Sequence, residues 1–426
     1  MHRMLAVTLA LLATSASADT VVLKARQLID GRGGTPISPA MVRIQDDRIA
    51  EVGPQVGIPQ GARVLDLGDA TLLPGLIDLH THLTGRPDIH WEDALLRSTP
   101  PEEALWGAHH AQITLFAGFT TCRDMGPNWP FVDVALRDAI AQGAVVGPRL
   151  LVAGNYVSST GGAGDARQFS IYVDVPIVRN LADGPAEIVK AVRTNLKNGA
   201  DFIKILATGA VLSKGIPPGA QQYSDEEIQA AVTEAKRWGR QVAAHAHGAA
   251  GIKAAIRAGV RTVDHGSDLD DEAIALLKSH PETFYVPTLY VSSAMLDEGE
   301  SAHVPPSELE RARQMRAIME AGFKRALRAG IPIGLGTDSS VIPHGKNAHE
   351  LKIRVALGQS PMAAIVSATR TNAEILGMSD RIGTVEAGKW ADIIAMSKDP
   401  LQDITATENV GFVMKAGVVY RDSLTH

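Results

Sequence analysis

The chain has a single cysteine among its 426 residues, Cys122, so it can form neither an internal disulfide nor a metal site built from several cysteines. It also lacks long blocks of one charge, and its 41 basic and 47 acidic residues give a formal net charge of −6. Without a basic surface that could follow phosphates, nucleic-acid binding is not expected. Aromatic residues are scarce at 4%, but 45% of residues are hydrophobic, which excludes a disordered chain. A metal site would therefore have to use histidines and carboxylates.

An apolar segment at the N-terminus, residues 4–13, follows His2 and Arg3 and precedes the small residues Ala16-Ser17-Ala18. A positive start, a short apolar run and an A-x-A site are typical of a secretory signal peptide. This pattern predicts cleavage near Ala18 and a secreted or periplasmic mature chain. A buried N-terminal helix is the alternative. The run is shorter than the roughly 20 residues that cross a bilayer, and no membrane span is expected in the mature chain.

The rest of the chain is long enough for a barrel of roughly 250 residues and a second domain. Short strand patterns and turn signals fill residues 19–74, and strand patterns return in residues 387–426. Between them, in residues 75–386, strand-sized apolar runs alternate with helical patterns, which favours parallel βα units. We therefore predict an α/β fold: a (β/α)₈ TIM barrel with a small composite β-sandwich domain built from both termini. The predicted barrel strands are Leu76–His82, Thr120–Arg123, Arg149–Ala153, Phe202–Leu206, Val242–His245, Thr262–His265, Phe284–Pro287 and Ile333–Gly336.

Two helix starts are marked by capping boxes, which place Ser three residues before Glu. Ser224 with Glu227 predicts a helix that ends near Trp238-Gly239, and Ser307 with Glu310 predicts another that stops at Gly330. The apolar stripe of the second helix is expected to belong to the core. Its members are Met315, Ile318, Met319, Phe323 and Leu327.

Candidate metal ligands begin with His80 and His82, at the end of the first predicted barrel strand. Residues i and i+2 of a strand lie on the same face, so both imidazoles point to one side. An isolated H-x-H is a weak signal for metal. Its position strengthens it, because side chains at the C-terminal ends of barrel strands line the active-site mouth.

Four further residues lie at the same level of the barrel. They are Lys204 in the fourth strand, His245 and His265 at the ends of the fifth and sixth, and Asp338 after the eighth. Burial of an unpaired ammonium is costly, so Lys204 needs a partner or a modification unless its side chain reaches solvent. Any one of these residues could be an ordinary barrel residue, but their convergence at one end favours a shared site.

This pattern resembles that of the amidohydrolase superfamily, in which H-x-H follows strand one, Lys strand four, His strands five and six, and Asp strand eight. Leu73-Pro74-Gly75-Leu76-Ile77-Asp78-Leu79-His80 and Ala387-Gly388-Lys389-Trp390-Ala391-Asp392 are also typical of it. The resemblance implies two zinc ions, although manganese or cobalt would fit the same donors. One would be held by His80, His82 and Asp338 and the other by His245 and His265. A carbamate formed by CO₂ on Lys204 would bridge them.

The resemblance also implies a mechanism. Two metals would share a bridging water, lower its pKa and polarise a substrate carbonyl. Asp338 would take the proton from that water and return it to the leaving amine, acting first as general base and then as general acid.

Ala244-His245-Ala246-His247-Gly248 and Asp264-His265-Gly266 are similar to the imidazolonepropionase-like and prolidase-like metallopeptidase branch. Members of that branch hydrolyse the amide that joins an acyl group to a C-terminal amino acid. It includes amidohydrolases that cleave ochratoxin A, an amide of an isocoumarin acid with phenylalanine. The expected substrate is therefore a small peptide or an N-acyl amino acid, and a homo-oligomer is expected.

Substrate contacts are less defined than the ligands. Tyr223 resembles a tyrosine that branch members aim at the substrate carbonyl, or it packs at a helix start. His247 is either a substrate contact or a structural residue near the ligands. Ala163 stands where the segment T-G-G-H-G of the branch has histidine, so either recognition differs in this protein or the histidine has been replaced. His344 and His349 are expected to be loop residues.

Two other hypotheses for the function are compatible with the sequence. The same fold supports hydrolysis of cyclic amides, lactones or phosphotriesters. A non-catalytic scaffold is also conceivable, although such a chain would be expected to have lost ligands.

Overall fold

The computed structural model describes residues 20–166, 169–170, 172–173, 180–213, 216–298 and 306–425. The predicted signal peptide, residues 1–18, lies outside this part of the chain. No helix within the described ranges combines the length and the apolar character needed to cross a membrane.

Strands and helices are numbered in chain order. The strands are β1 (Thr20–Ala25), β2 (Gln27–Leu28), β3 (Ala40–Gln45), β4 (Arg48–Gly53), β5 (Arg63–Asp66), β6 (Thr71–Pro74), β7 (Leu76–Thr81), β8 (Phe119–Asp124), β9 (Arg149–Val152), β10 (Val157–Ser158), β11 (Asn180–Leu181), β12 (Ile203–Leu206), β13 (Val242–Ala246), β14 (Thr262–His265), β15 (Phe284–Val286), β16 (Ile393–Met396), β17 (Phe412–Lys415) and β18 (Val418–Asp422). The α-helices are α1 (Trp91–Arg97), α2 (Pro100–Phe116), α3 (Val132–Ala141), α4 (Gly184–Lys197), α5 (Asp225–Arg237), α6 (Ala249–Ala258), α7 (Asp271–Ser279), α8 (Leu289–Glu298), α9 (Pro306–Arg328), α10 (His349–Ala356), α11 (Pro361–Val366) and α12 (Asn372–Ile375). A π-helical turn covers Ser367–Thr371 and a 3₁₀ turn covers Ile404–Glu408.

Strands from the two ends of the chain form a β-sandwich. One sheet has the order β4-β3-β1-β5 and the other the order β18-β17-β16-β6-β2. In the second sheet, β16 from the C-terminal region pairs antiparallel with β6 from the N-terminal region, with Ile393 opposite Pro74. Apolar side chains of both sheets, including Leu23, Val42 and Phe412, share one buried cluster. This is the composite sandwich that the sequence pattern predicts; the domain boundaries 19–74, 75–386 and 387–426 remain a proposal.

The central strands form the barrel. Strands β7, β8 and β9 are parallel neighbours, and β10 and β12 to β15 continue in parallel order. The N–H of Asp201 donates to the carbonyl of Val152 at 2.8 Å, which joins the two sheets ahead of β12. All these strands point the same way, so their C-terminal ends meet at one face of the barrel.

The predicted eighth strand, Ile333–Gly336, closes the barrel without forming a regular ladder. Ile333 makes one parallel bridge to Tyr285, and the N–H of Leu79 donates to the carbonyl of Leu335 at 3.0 Å. The side chain of Asn372 accepts from the N–H of Leu335 at 2.9 Å and donates to its carbonyl at 2.9 Å. The side-chain amide of Asn372 therefore supplements the contacts of this segment with its two neighbouring strands.

Both predicted helix starts lie close to the observed ones. Ser224 and Glu227 form the reciprocal capping box of α5. The second prediction was wrong in detail, because α9 already begins at Pro306 and Ser307 lies inside its first turn. Proline suits that position because its missing N–H would have no partner in the first turn of a helix. On α9, Phe323 is fully buried, but Ile318 is 41% exposed and does not belong to the core.

Candidate metal centre

His80 and His82 emerge from the end of β7 toward the carboxylate of Asp338. The Nε2 atom of His80 is 3.5 Å from Oδ1 of Asp338, and the Nε2 atom of His82 is 3.4 Å from the same oxygen. The N–H of Asp338 donates to the carbonyl of His80 at 2.7 Å, so the closing segment holds this carboxylate beside β7. Asp338 has a φ of +61°, a conformation that costs an ordinary residue free energy and recurs at functional sites.

The second ring nitrogen of each of these histidines faces an acceptor. Nδ1 of His82 lies 2.6 Å from the carbonyl of Gly126, and Nδ1 of His80 lies 3.2 Å from Oδ1 of Asp264. Since a carbonyl and a carboxylate only accept, each Nδ1 donates a proton and each Nε2 faces Asp338. This is the orientation of metal-binding imidazoles, whose other nitrogen donates to a protein acceptor.

Three more imidazoles adjoin this pair. The ring centroid of His265 lies 4.7 Å from that of His80 and 4.5 Å from that of His245, while His247 lies 4.7 Å from both His245 and His265. Nδ1 of His265 pairs with the hydroxyl of Thr288 at 2.8 Å. Among the described residues, two groups have potential ligand atoms that all lie within 4.8 Å of one another: His80 with His265 and Asp338, and His245 with His247 and His265.

Lys204 projects from β12 into the same region and is 2% exposed. Its Nζ and the Nε2 of His245 are buried polar atoms that have no hydrogen-bond partner within the described part of the chain. Burial lowers the pKa of the Lys204 ammonium to about 8, against the opposing effect of the Asp264 and Asp338 carboxylates. An amine whose charged form is disfavoured and whose donors lack acceptors fits a modified or metal-linked lysine better than a free ammonium.

Most of the protonation states suit metal binding at neutral pH. His82 differs, because burial is outweighed by its hydrogen bond to Asp338 and the charge of that carboxylate, which raise the His82 pKa, so a metal ion would have to displace its proton. Burial, together with the charge of Lys204, lowers the pKa of His80 to about 4, and burial also places the pKa values of His245 and His265 well below the ordinary range. Burial alone would raise the pKa of Asp338, but its interactions with His80, His82 and the Lys204 ammonium bring it below its usual value. Neutral imidazoles and an ionised carboxylate are the donors that zinc prefers.

Sequence reasoning missed the residues that support His80. The carboxylate of Asp264 also pairs with Nη2 of Arg123 at 3.0 Å and accepts from the hydroxyl of Thr262 at 2.8 Å. Arg123 in turn donates from Nε to the carbonyl of Leu79 at 2.8 Å. Asp264 and Arg123 are buried charges inside apolar strands, the same signal that singled out Lys204.

The cluster opens into a cleft that encloses about 1150 Å³, including the part open to solvent. All six predicted ligands and His247 line it. Ala163 lines it too, with its N–H donating to Oε1 of Gln222 at 2.9 Å and its carbonyl accepting from the hydroxyl of Ser213 at 2.7 Å. A side chain longer than alanine at position 163 would therefore start from a fixed backbone at the cleft wall.

Tyr223 does not reach the cleft. It is 1% exposed within the barrel core, and its hydroxyl donates to the carbonyl of Ala182 at 3.1 Å. This is the packing role that the sequence left open beside a substrate contact. His344 is buried, with Nε2 donating to the carbonyl of Gly85 at 3.1 Å. His349 begins α10, so its prediction as a loop residue was wrong, and its Nδ1 lies 3.4 Å from Oε2 of Glu408. Neither histidine belongs to the potential ligand groups of the described residues.

Comparison with known proteins points to one family. The model of the amidohydrolase family matches residues 71–420. The ochratoxinase of Aspergillus niger is 32% identical over 439 aligned positions, which cover 96% of this chain and 88% of that protein.

Solved structures give the same picture. A Xaa-Pro dipeptidase with methionine bound in its active site superposes with a TM-score of 0.89 at 35% identity, covering 95% of this chain and all of that one. A prolidase complexed with N-methylphosphonate-L-proline superposes with a TM-score of 0.88 at 29% identity and the same coverage.

Proposed function

Because this chain belongs to the amidohydrolase family, and to its prolidase-like branch, we propose that it is a binuclear zinc hydrolase that cleaves the amide bond to a C-terminal amino acid. Hydrolysis of amide bonds follows from the family and its named relatives. What we propose beyond that is the pair of zinc ions and the specificity for a C-terminal amino acid. The observation that carries it is Lys204, a buried amine without a hydrogen-bond partner in the described structure, among imidazoles that face one carboxylate.

The residues present fit a pair of metal ions. As the resemblance implies, His80, His82 and Asp338 would hold one zinc, and His245 and His265 would hold the other. The compact groups in the structure differ from this assignment, since His265 belongs to both, His247 joins the second, and His82 belongs to neither. The unpartnered Nζ of Lys204 and Nε2 of His245 are the atoms that such a centre would engage, with Lys204 carrying a CO₂-derived carbamate as the bridge. Other divalent metals would fit the same donors. When bound, the metals supply Lewis acidity that lowers the pKa of a water and polarises a carbonyl.

The chain's own residues then handle the proton and the substrate. Asp338 is ionised at neutral pH because His80 and His82 lower the pKa of its carboxyl group, so it can accept a proton from the attacking water. It returns that proton to the nitrogen of the leaving amine, which departs as a neutral amine. His247 lines the cleft beside His245 and His265, and we propose that it contacts the substrate.

The proposed substrates are small peptides and N-acyl amino acids, including ochratoxin A, cleaved to its isocoumarin acid and phenylalanine. The named relatives support this choice: an ochratoxinase, a Xaa-Pro dipeptidase with a bound amino acid, and a prolidase with a proline derivative. We also propose that a signal peptide cleaved near Ala18 exports the chain and that the mature protein is a homo-oligomer.

A screen with identified products tests the proposal. Zinc-loaded protein is incubated with dipeptides, N-acyl amino acids and ochratoxin A, beside a carboxylate-free lactone and a phosphotriester. We expect release of a free amino acid in the first three classes. Faster turnover of the lactone or phosphotriester would replace this function with the alternative one. A metal content below about one zinc per chain would revive a non-catalytic scaffold.

A further inference from the structure

Part of the cleft beside the candidate metal centre is lined by methionine. Met125 follows β8, Met295 belongs to α8, and Met315 and Met319 lie on α9. All four are buried, with exposures between 0% and 9%. The two on α9 come from the stripe that the sequence assigned to the core; they belong to the same buried cluster as Phe323 and also line the cleft.

Other apolar side chains also line the cleft. Leu206, Val211, Leu212, Val291 and Val341 line the same cleft. Imidazoles aside, the charged side chains among its described lining residues are Lys204 and Asp338, and both belong to the candidate metal centre. Neutral polar side chains, among them Asn128, Ser213 and Ser292, also line the cleft. The methionine side chains themselves offer no strong hydrogen-bonding group, so a polar substrate group placed against them would lose water without compensation, whereas an apolar group would gain from leaving water.

We infer that Met295, Met315 and Met319, on the packed helices α8 and α9, form a subsite for a large apolar group, an aromatic ring or a long alkyl chain, on one side of the scissile amide. This inference rests on the proposed function and adds the substrate class. Methionine is unbranched and polarizable, so its side chains adapt to ligands of different shape. The subsite therefore selects substrates by the apolar area they bury rather than by one particular shape. Amides of small residues should accordingly be poor substrates.

Two substrate series locate the apolar group. In the first, glycine is constant and the acyl group grows from acetyl through hexanoyl to 2-naphthoyl. In the second, acetyl is constant and the amino acid grows from glycine through leucine to phenylalanine. We expect kcat/KM to rise in one series by about fourfold for each methylene that the subsite covers, and thus by well over tenfold across the series. A flat response in both series would overturn the inference.

Variants of one helix identify the wall. Met319→Ala shortens a cleft-lining side chain, and Ile318→Ala, at the neighbouring 41% exposed position, is the matched control. We expect Met319→Ala to lower the ratio of kcat/KM for the largest to the smallest substrate at least fourfold, and Met319→Leu to restore most of that loss. Ile318→Ala should leave the ratio unchanged. An unchanged ratio in Met319→Ala and in Met315→Ala would contradict the subsite.

A binding measurement separates this inference from the proposed function. Titration calorimetry with 2-naphthoate is carried out on wild type, Met319→Ala and Ile318→Ala. If 2-naphthoate binds more weakly to Met319→Ala alone, while no amide is hydrolysed, the subsite stands and the proposed function fails. If amides are hydrolysed but binding of 2-naphthoate is equal in all three proteins, the subsite fails and the proposed function stands.

Discussion

Nδ1 of His80 lies 3.2 Å from a carboxylate oxygen of Asp264, and both side chains are almost completely removed from solvent. The same oxygen lies 3.0 Å from Nη2 of Arg123, so the arginine compensates the buried negative charge. Because Arg123 already neutralises Asp264, the carboxylate can hold the His80 ring without forcing it to become charged. His80 thus presents the neutral Nε2 lone pair that a metal requires.

Replacement of Asp264 by asparagine is the direct test of this arrangement. Asparagine keeps the size but loses the charge that fixes the His80 ring and balances Arg123. We expect the affinity for zinc to fall about 10- to 100-fold, as is common for outer-shell partners of metal-binding histidines. The measurement is competition with a chromophoric chelator.

Asp133→Asn is the matched control for that substitution. Asp133 is also buried, but it accepts from the backbone N–H groups of Val134 and Gly154. Its replacement should affect stability and leave zinc affinity unchanged. Equal zinc affinities in Asp264→Asn and wild type would show that Asp264 does not support the centre.

Removal of the Lys204 amine should disable the centre. We expect Lys204→Ala to lose zinc and at least about a hundredfold in kcat/KM, more than the loss of an outer-shell partner. A carbamate is chemically a carboxylate, so millimolar propionate should restore part of the activity. Lys415→Ala is the control, since that amine is also largely buried, with a pKa lowered to about 8 by burial, but donates to the carbonyl of Gly147 away from the cleft. If Lys204→Ala keeps its zinc and propionate restores no activity, Lys204 does not bridge the two metals through a carbamate.

Much of the barrel can be predicted from sequence because buried parallel strands are short, continuous apolar runs. Lys204 stands out in such a run because a charge there needs a reason. Alternation along a strand then places His80 and His82 on one face. These inferences need only local periodicity and the rule that barrel strands share one active face.

Other features depend on contacts that no local pattern encodes. Tyr223 precedes a capping box, but whether its ring enters the cleft or the core depends on how α5 sits against β12. Met315 and Met319 have the spacing of core residues and belong to the core, but only the path of α9 shows that they also line the cleft. The closing segment near Leu335 relies on Asn372, which follows it in the chain by 37 residues.

Tyr223→Phe distinguishes packing from a substrate contact. The hydroxyl bonds to the carbonyl of Ala182 and does not line the cleft. We therefore expect kcat and KM to stay within about twofold of wild type, while stability falls by about 1 kcal/mol, the usual net value of one hydrogen bond. Steady-state kinetics and urea unfolding measure the two effects. A large drop in kcat with unchanged stability would return Tyr223 to the active site.

Ala163→His tests the position where relatives of the branch carry histidine. Ala163 lines the cleft, and its backbone is held by Gln222 and Ser213, so an imidazole there would add a hydrogen-bond donor to the substrate site. We expect kcat/KM for N-acyl amino acids to rise about tenfold, which corresponds to one added hydrogen bond. Ala163→Leu supplies similar bulk without a donor and should not show the gain. Equal rates in both variants would mean that this protein recognises substrate without position 163.

A pH dependence of stability follows from His344, which is buried and stacked on His110 with ring centroids 3.9 Å apart. Burial, with a smaller effect of the His110 charge, lowers the pKa of His344 to about 3. The ordinary pKa of histidine is about 6.5. Between pH 6.5 and about pH 3, His344 is therefore protonated in the unfolded chain and neutral in the folded chain. This contribution to stability is complete above pH 6.5 and is lost as the pH falls through that interval.

His344→Gln replaces the titrating imidazole by an amide that cannot take up a proton but can still donate to the carbonyl of Gly85. Between pH 6 and 4, we expect the free energy of unfolding of the variant to fall less steeply than that of wild type, by up to about 1.4 kcal/mol per pH unit. Urea unfolding of both chelator-treated proteins measures the slopes, so that the remaining histidines contribute equally. Between pH 7 and 8, where His344 is neutral in both states, the two slopes should coincide. Parallel curves at pH 4 to 6 would mean that His344 takes up its proton without unfolding, and that the stacked pair tolerates a charge.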